Sequence, residues 1–194
     1  MYFSGSYSFK NPIDKVWNDL NNPKFLKQAI HGCQEFIEEG NNSYYLKLQV
    51  KLGPINAIFS GKLFIKDANP PFSYIIEAKG SAGQLGGASG TVQVTLNEID
   101  DNTNLNYKAN TKINGKIAQL GARLIEGAVK KNTVLFFNNF EKLSSISNDF
   151  NNEKSLKDEK VLESNKKLNS LKKKHYYAFF LIMIMIITFI SYYE

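Results

Sequence analysis

The chain has one cysteine, Cys33, and two histidines, His31 and His175. A lone cysteine cannot close an intramolecular disulfide, so a reducing compartment is the default expectation. His31-Gly32-Cys33 supplies too few ligands for a metal site, and no second Cys/His cluster accompanies it, so no metal is expected. Neither a G-x-S-x-G motif nor a pair of acids placed for general acid–base work occurs, which leaves no candidate catalytic residue. The glycine-rich run 80–90 lacks the Lys-Ser/Thr of a phosphate-binding loop and opens no helix. It reads as a flexible loop between two strands, placed to gate a concave sheet face. The N-terminus has no long apolar stretch, so no signal peptide is expected. Basic residues are diluted: residues 1–143 hold 16 Lys and Arg against 12 Asp and Glu. Without a dense basic stripe and interleaved exposed aromatics, nucleic-acid binding is excluded.

What is present is periodicity. Phe3, Tyr7 and Phe9 alternate around Gly5, the pattern of a first strand. Asn11-Pro12 opens a helix with Ile13, Val16, Trp17 and Leu20 on one face, and Asn22-Pro23 starts a second, short one. From residue 34 to 113 the period is two. Strands are predicted over 36–40, 44–52, 55–68, 74–80, 88–99 and 103–113, separated by Gly, Pro, Asn and Asp turns. Residues 115–143 return to helical spacing, with Ile117, Leu120, Gly121, Leu124, Ile125, Ala128, Leu135 and Phe136 on one side. They read as one long helix with Gly121 and Gly127 inside it. Gly121, on the apolar face, marks either close helix–sheet packing or space kept for something else.

The order β-αα-β6-α gives an α+β helix-grip fold, an antiparallel sheet wrapped around a long C-terminal helix. Composition then divides the chain into a folded domain over 1–143, a polar and partly helical linker over 144–174, and a tail over 175–194. Residues 176–193, YYAFFLIMIMIITFISYY, carry no charge and are bracketed by tyrosine pairs. Their length suits one transmembrane helix. Lys172, Lys173 and Lys174 stand on the near side and only Glu194 beyond, so the expectation is a single-pass C-terminal tail anchor in the cell membrane with the N-terminal domain cytoplasmic.

The pieces NPIDKVWNDLNNPKFLKQAIHGCQE, KLGPINAIFSGKL, DANPPFSYIIEAKGSAG and NGKIAQLGARLIEGAVKK closely resemble the family of the carbon monoxide dehydrogenase G subunit, which belongs to the START-like helix-grip superfamily. The resemblance covers about residues 1–143. It implies an accessory protein rather than an enzyme, one that docks a molybdenum hydroxylase of the carbon monoxide dehydrogenase type at the membrane. The implied ligand is a quinone or another isoprenoid lipid, with no covalent or metal cofactor. START-like cyclases and hydrolases, and a purely structural membrane anchor, are the alternative classes.

A sheet gripping a helix leaves an elongated apolar cavity suited to a lipophilic ligand. Its expected lining is Leu48, Phe59, Leu63, Tyr74, Ile76, Val92, Val94 and Tyr107 from the strands. Leu120, Gly121, Leu124 and Ile125 complete it from the helix.

Overall fold

The computed structural model describes residues 1–100 and 102–158, with side chains as far as Ile146. Strand β1 (Tyr2–Phe9) leads into helices α1 (Ile13–Leu20) and α2 (Pro23–Ala29). Six strands follow: β2 (Cys33–Gly40), β3 (Ser43–Leu52), β4 (Ile55–Asn69), β5 (Ser73–Ser81), β6 (Gly87–Ile99) and β7 (Asn102–Asn114). The chain ends its described part in a short helix α3 (Gly115–Ala118) and a long helix α4 (Ala122–Asp158).

All seven strands form one antiparallel sheet in the order β1-β7-β6-β5-β4-β3-β2. Five of the six pairings join sequence neighbours, as a meander does. The sixth carries β1 across the sheet to β7, with Gly5 opposite Tyr107. Gly61 and Gly80 face each other across β4 and β5; a Cβ on Gly61 would lie 2.3 Å from the Lys79 carbonyl oxygen. Only glycine permits that approach, which marks a sharp bend of the sheet.

One face of the sheet is buried and the other meets solvent. Leu46, Leu48, Val50, Phe59, Leu63, Ile76, Val92, Val94 and Leu105 fill the buried face. Above them lie Val16, Trp17 and Leu20 of α1, Leu26 of α2, and Phe136, Phe137 and Phe140 of α4. The start signal at Asn22 works through its side chain, whose Oδ1 accepts the backbone N–H of Lys24 at 3.1 Å and of Phe25 at 3.2 Å. On the exposed face Lys47, Lys62 and Lys66 pair with Glu35, Glu39 and Glu77.

The C-terminal helix differs from the sequence expectation in two places. It is not continuous from residue 115, because Gly121 adopts φ +81° and separates α3 from α4. A left-handed glycine ends a helix at little steric cost, whereas any residue with a Cβ is strained there. Gly121 is exposed, and a Cβ built on it meets nothing within 4 Å. It is therefore neither a packing point against the sheet nor the wall of a cavity. Further on, α4 crosses the boundary drawn at residue 143 without a break and continues to Asp158. Ser144 is fully buried and its hydroxyl donates to Asp19 Oδ2 at 2.6 Å, tying α4 to α1.

At about 1.5 Å per residue the 37 residues of α4 span about 55 Å. Among the described residues no helix is long and apolar enough to cross a membrane. The apolar run 176–193, and the linker beyond residue 158, lie outside the described residues.

Candidate functional site

The structure opens a cleft of about 520 Å³ between strand β1, its neighbour β7 and the N-terminal half of α4. The strand side is Tyr2, Phe3, Ser4, Ser6, Tyr7 and Tyr107. The helix side is Glu126, Val129, Lys130, Thr133, Val134 and Phe137. Glu126, Lys130, Thr133 and Phe137 recur at i, i+4, i+7 and i+11, so they form one stripe along the helix.

Gly5 sets the position of Tyr107 in this wall. A Cβ there would lie 2.6 Å from the Tyr107 hydroxyl oxygen and 2.8 Å from the edge of its ring. The missing side chain lets the Tyr107 ring lie across β1 and reach α4, where the phenol pairs with the Thr133 hydroxyl. Burial pushes the Tyr107 phenol above its ordinary pKa, and the bond with Thr133 acts in the opposite direction.

Tyr7 closes the other end. Its ring stacks on Phe137 with centroids 4.3 Å apart, and its hydroxyl donates to Glu141 Oε2 at 2.9 Å. Its phenol is pushed up to about 12, first by burial and then by the hydrogen bond and negative charge of Glu141. Both phenols therefore remain neutral donors near pH 7. The cleft offers mostly apolar walls and a few fixed polar groups, the usual make-up of a site for a small lipophilic molecule.

Of the residues the sequence pointed to, Tyr107 alone lines this cleft. Leu48, Phe59, Leu63, Ile76, Val92 and Val94 have no exposed surface and sit in the packed core beneath α1, α2 and the phenylalanines of α4. Tyr74 is buried with them, edge-on to Trp17 at 5.4 Å, and its hydroxyl has no hydrogen-bond partner. Ile125 is buried in a separate small cluster with Val129, Phe3 and Ile113. Leu120 is half-buried, and Leu124 is 47% exposed, its tip facing Gly53 in the β3–β4 turn.

The residues missed were those of β1 and the α4 stripe. Two signals pointed to them: the glycine interrupting the aromatic alternation of β1, and Glu126, Lys130 and Thr133 at one helical phase.

The glycine-rich run does not stand free over the sheet. Residues Gly83–Leu85 form a 3-10 turn, Gly86 lies against Asn114 and Gly115, and Leu85 packs on the core. Cys33 is partly buried and its thiol is pushed up to about 11 by that burial, which outweighs the opposing pull of Lys27. Burial favours its protonated, less nucleophilic form. Among the described residues no group of three or more His, Cys, Asp or Glu could hold a metal ion.

Residues 5–144 match the family described as the G subunit of carbon monoxide dehydrogenase (CoxG). The chain belongs to the CoxG family. The match spans most of the chain and takes in the helix side of the cleft together with Ser6, Tyr7 and Tyr107 of its strand side, while Tyr2, Phe3 and Ser4 precede it. Solved structures share this fold. A conserved protein from Geobacillus kaustophilus superposes with a TM-score of 0.72 at 26% identity, covering 76% of this chain and 97% of that one. The Zhui aromatase/cyclase from Streptomyces sp. R1128 gives 0.57 at 14% identity, over 75% and 93% of the two chains. A protein from Thermus thermophilus gives 0.59 at 10% identity, over 76% and 99%. The last two show the fold alone. No curated protein matches the sequence.

Proposed function

We propose that this CoxG-family protein is a non-enzymatic carrier and adaptor that holds a lipophilic, quinone-like molecule in the cleft between β1 and α4. The observation that carries this reading is the cleft itself. Phe3, Val129, Val134 and Phe137 provide apolar walls, while Tyr107, Thr133 and Lys130 provide polar groups for a carbonyl or hydroxyl. The uncharged run 176–193 tethers the domain to the membrane, where such molecules reside. The partner is a cytoplasmic molybdenum-containing dehydrogenase of the carbon monoxide dehydrogenase type, a reading supported by the family's name. An enzyme of the cyclase or hydrolase kind is the alternative. Its candidate groups in the cleft are the Glu126 carboxylate and the Lys130 amine, and loss of turnover on Glu126→Gln would favour it over a carrier.

The test is organic extraction and mass spectrometry of the full chain purified in mild detergent, beside a Val134→Trp variant. Val134 is 51% exposed at the cleft rim, so the indole fills the opening without entering the core. The expected result is a stoichiometric lipophile in the wild type that the variant loses. A wild-type protein carrying no lipophile and showing no saturable uptake of a short-chain quinone would overturn the reading.

A further inference from the structure

A second cleft, of about 410 Å³, lies on the opposite flank of α4. It is framed by the α2–β2 turn at His31 and Gly32, by β3, by the start of β4, and by α4 at Lys131 and Asn132. Its chemistry is unlike that of the apolar cleft. Val50 and Leu135 are its apolar members, and the rest are Lys51, Lys131, His31, Gln49, Asn56, Asn132 and Gly32. No aspartate or glutamate lines it.

The frame is held in place. Gly32 has φ +80°, and its carbonyl accepts the Gln49 backbone N–H at 2.9 Å. A Cβ on Gly32 would stand 2.2 Å from the Gln49 carbonyl oxygen, so only glycine allows the turn to seat against β3. Gln49 Nε2 donates to Asn56 Oδ1 at 3.3 Å, which fixes the Asn56 amide with its own N–H groups unused by that bond. Asn132 is held by donating to the Ala128 carbonyl at 3.0 Å. Among the described residues neither Lys51 nor Lys131 has a carboxylate within ion-pair distance. Lys47, Lys62 and Lys66 on the outer face each have one.

Two lysines without a carboxylate partner, side-chain amides and a fixed turn line one pocket that has no acid, a lining suited to an oxyanion. We infer that this cleft binds a phosphate- or carboxylate-bearing group, either a small soluble anion or the headgroup of an anionic lipid. The site is separate from the apolar cleft and holds whether or not that cleft takes a lipophile.

The test is calorimetric titration of the full chain in neutral detergent at low salt, with inorganic phosphate as one probe and short-chain phosphatidate as the other. Zwitterionic short-chain phosphatidylcholine serves as the blank. Lys51→Gln and Lys131→Gln are each expected to weaken binding by about tenfold or more, because each removes a charge-assisted contact. Lys108→Gln makes the same change in net charge on β7, outside the cleft, and is expected to leave affinity unchanged. Phosphatidate binding more tightly than phosphate identifies a lipid headgroup, and phosphate binding as tightly or more tightly identifies a soluble anion. Either outcome supports the site. Absence of saturable binding by both probes would overturn it, as would equal weakening by Lys108→Gln and the two cleft variants.

Discussion

The two halves of α4 live in different surroundings although they belong to one helix. Between residues 135 and 146 the helix is anchored. Phe136, Phe137 and Phe140 are buried, Phe140 lies 4.8 Å from the ring of Phe9 and 5.0 Å from that of Phe25, and Ser144 is tied to Asp19. From 122 to 134 only Ile125 and Val129 are buried, Leu124 and Val134 are largely exposed, and Gly127 faces open space. The anchored half fixes where the helix lies. The other half spans the mouth of the fold with the apolar cleft on one flank and the basic cleft on the other. Few apolar contacts and a left-handed hinge residue place this half at the low-stability end of the structure.

The contrast predicts a graded response to substitution. Phe140→Ala removes a fully buried ring from the anchored half and is expected to cost about 3–5 kcal/mol in a denaturant titration. A loss below about 1 kcal/mol would show that the anchor is elsewhere. Gly5→Val acts at the cleft. Its side chain must displace Tyr107, so a cost of about 1–3 kcal/mol and loss of the Tyr107–Thr133 bond are expected, visible in a crystal structure of the variant. An unmoved Tyr107 ring would remove Gly5 from the account.

Gly127→Ala tests the loose half with the opposite sign. With nothing within 4 Å of its Cβ, the substitution is expected to stabilise by about 0.5–1 kcal/mol. Destabilisation would mean that the helix face is packed in solution. The smallest effect concerns Tyr7. In the folded protein its phenol keeps its proton up to about 12 against an ordinary 10.0, so between those values the unfolded chain binds fewer protons. Stability contributed by Tyr7 is complete below pH 10 and declines as pH rises to about 12. Tyr7→Phe should flatten that decline, and an unchanged alkaline slope would place the Tyr7–Glu141 contact outside the solution structure.

The same contrast shows what a sequence can and cannot reveal. The seven strands were legible because each alternates apolar and polar residues between strong turn residues, and both short helices were announced by Asn-Pro. The break at Gly121 was not, because Ile117, Leu120, Leu124 and Ile125 keep helical phase across it while φ reverses at a single residue. Inward-facing residues such as Leu48 and Val92 were identified correctly as a face. Periodicity does not say how fully that face is covered, and here Trp17 and the α4 phenylalanines cover it. The cleft depended on β1 pairing with β7, which brings Gly5 to Tyr107 across 102 residues of chain. No local pattern encodes that meeting. The tie from Asp19 to Ser144 was hidden for the same reason.

The central claim is that residues 122–134 of α4 form the yielding cover of a ligand cleft while residues 135–146 hold the helix in place. Hydrogen–deuterium exchange of the full chain in detergent, with and without a saturating short-chain quinone, tests it most directly. The account predicts faster exchange over 122–134 than over 135–146, and protection on adding the quinone confined to 122–134 and β1. Equal exchange along both halves, unaltered by the quinone, would contradict it.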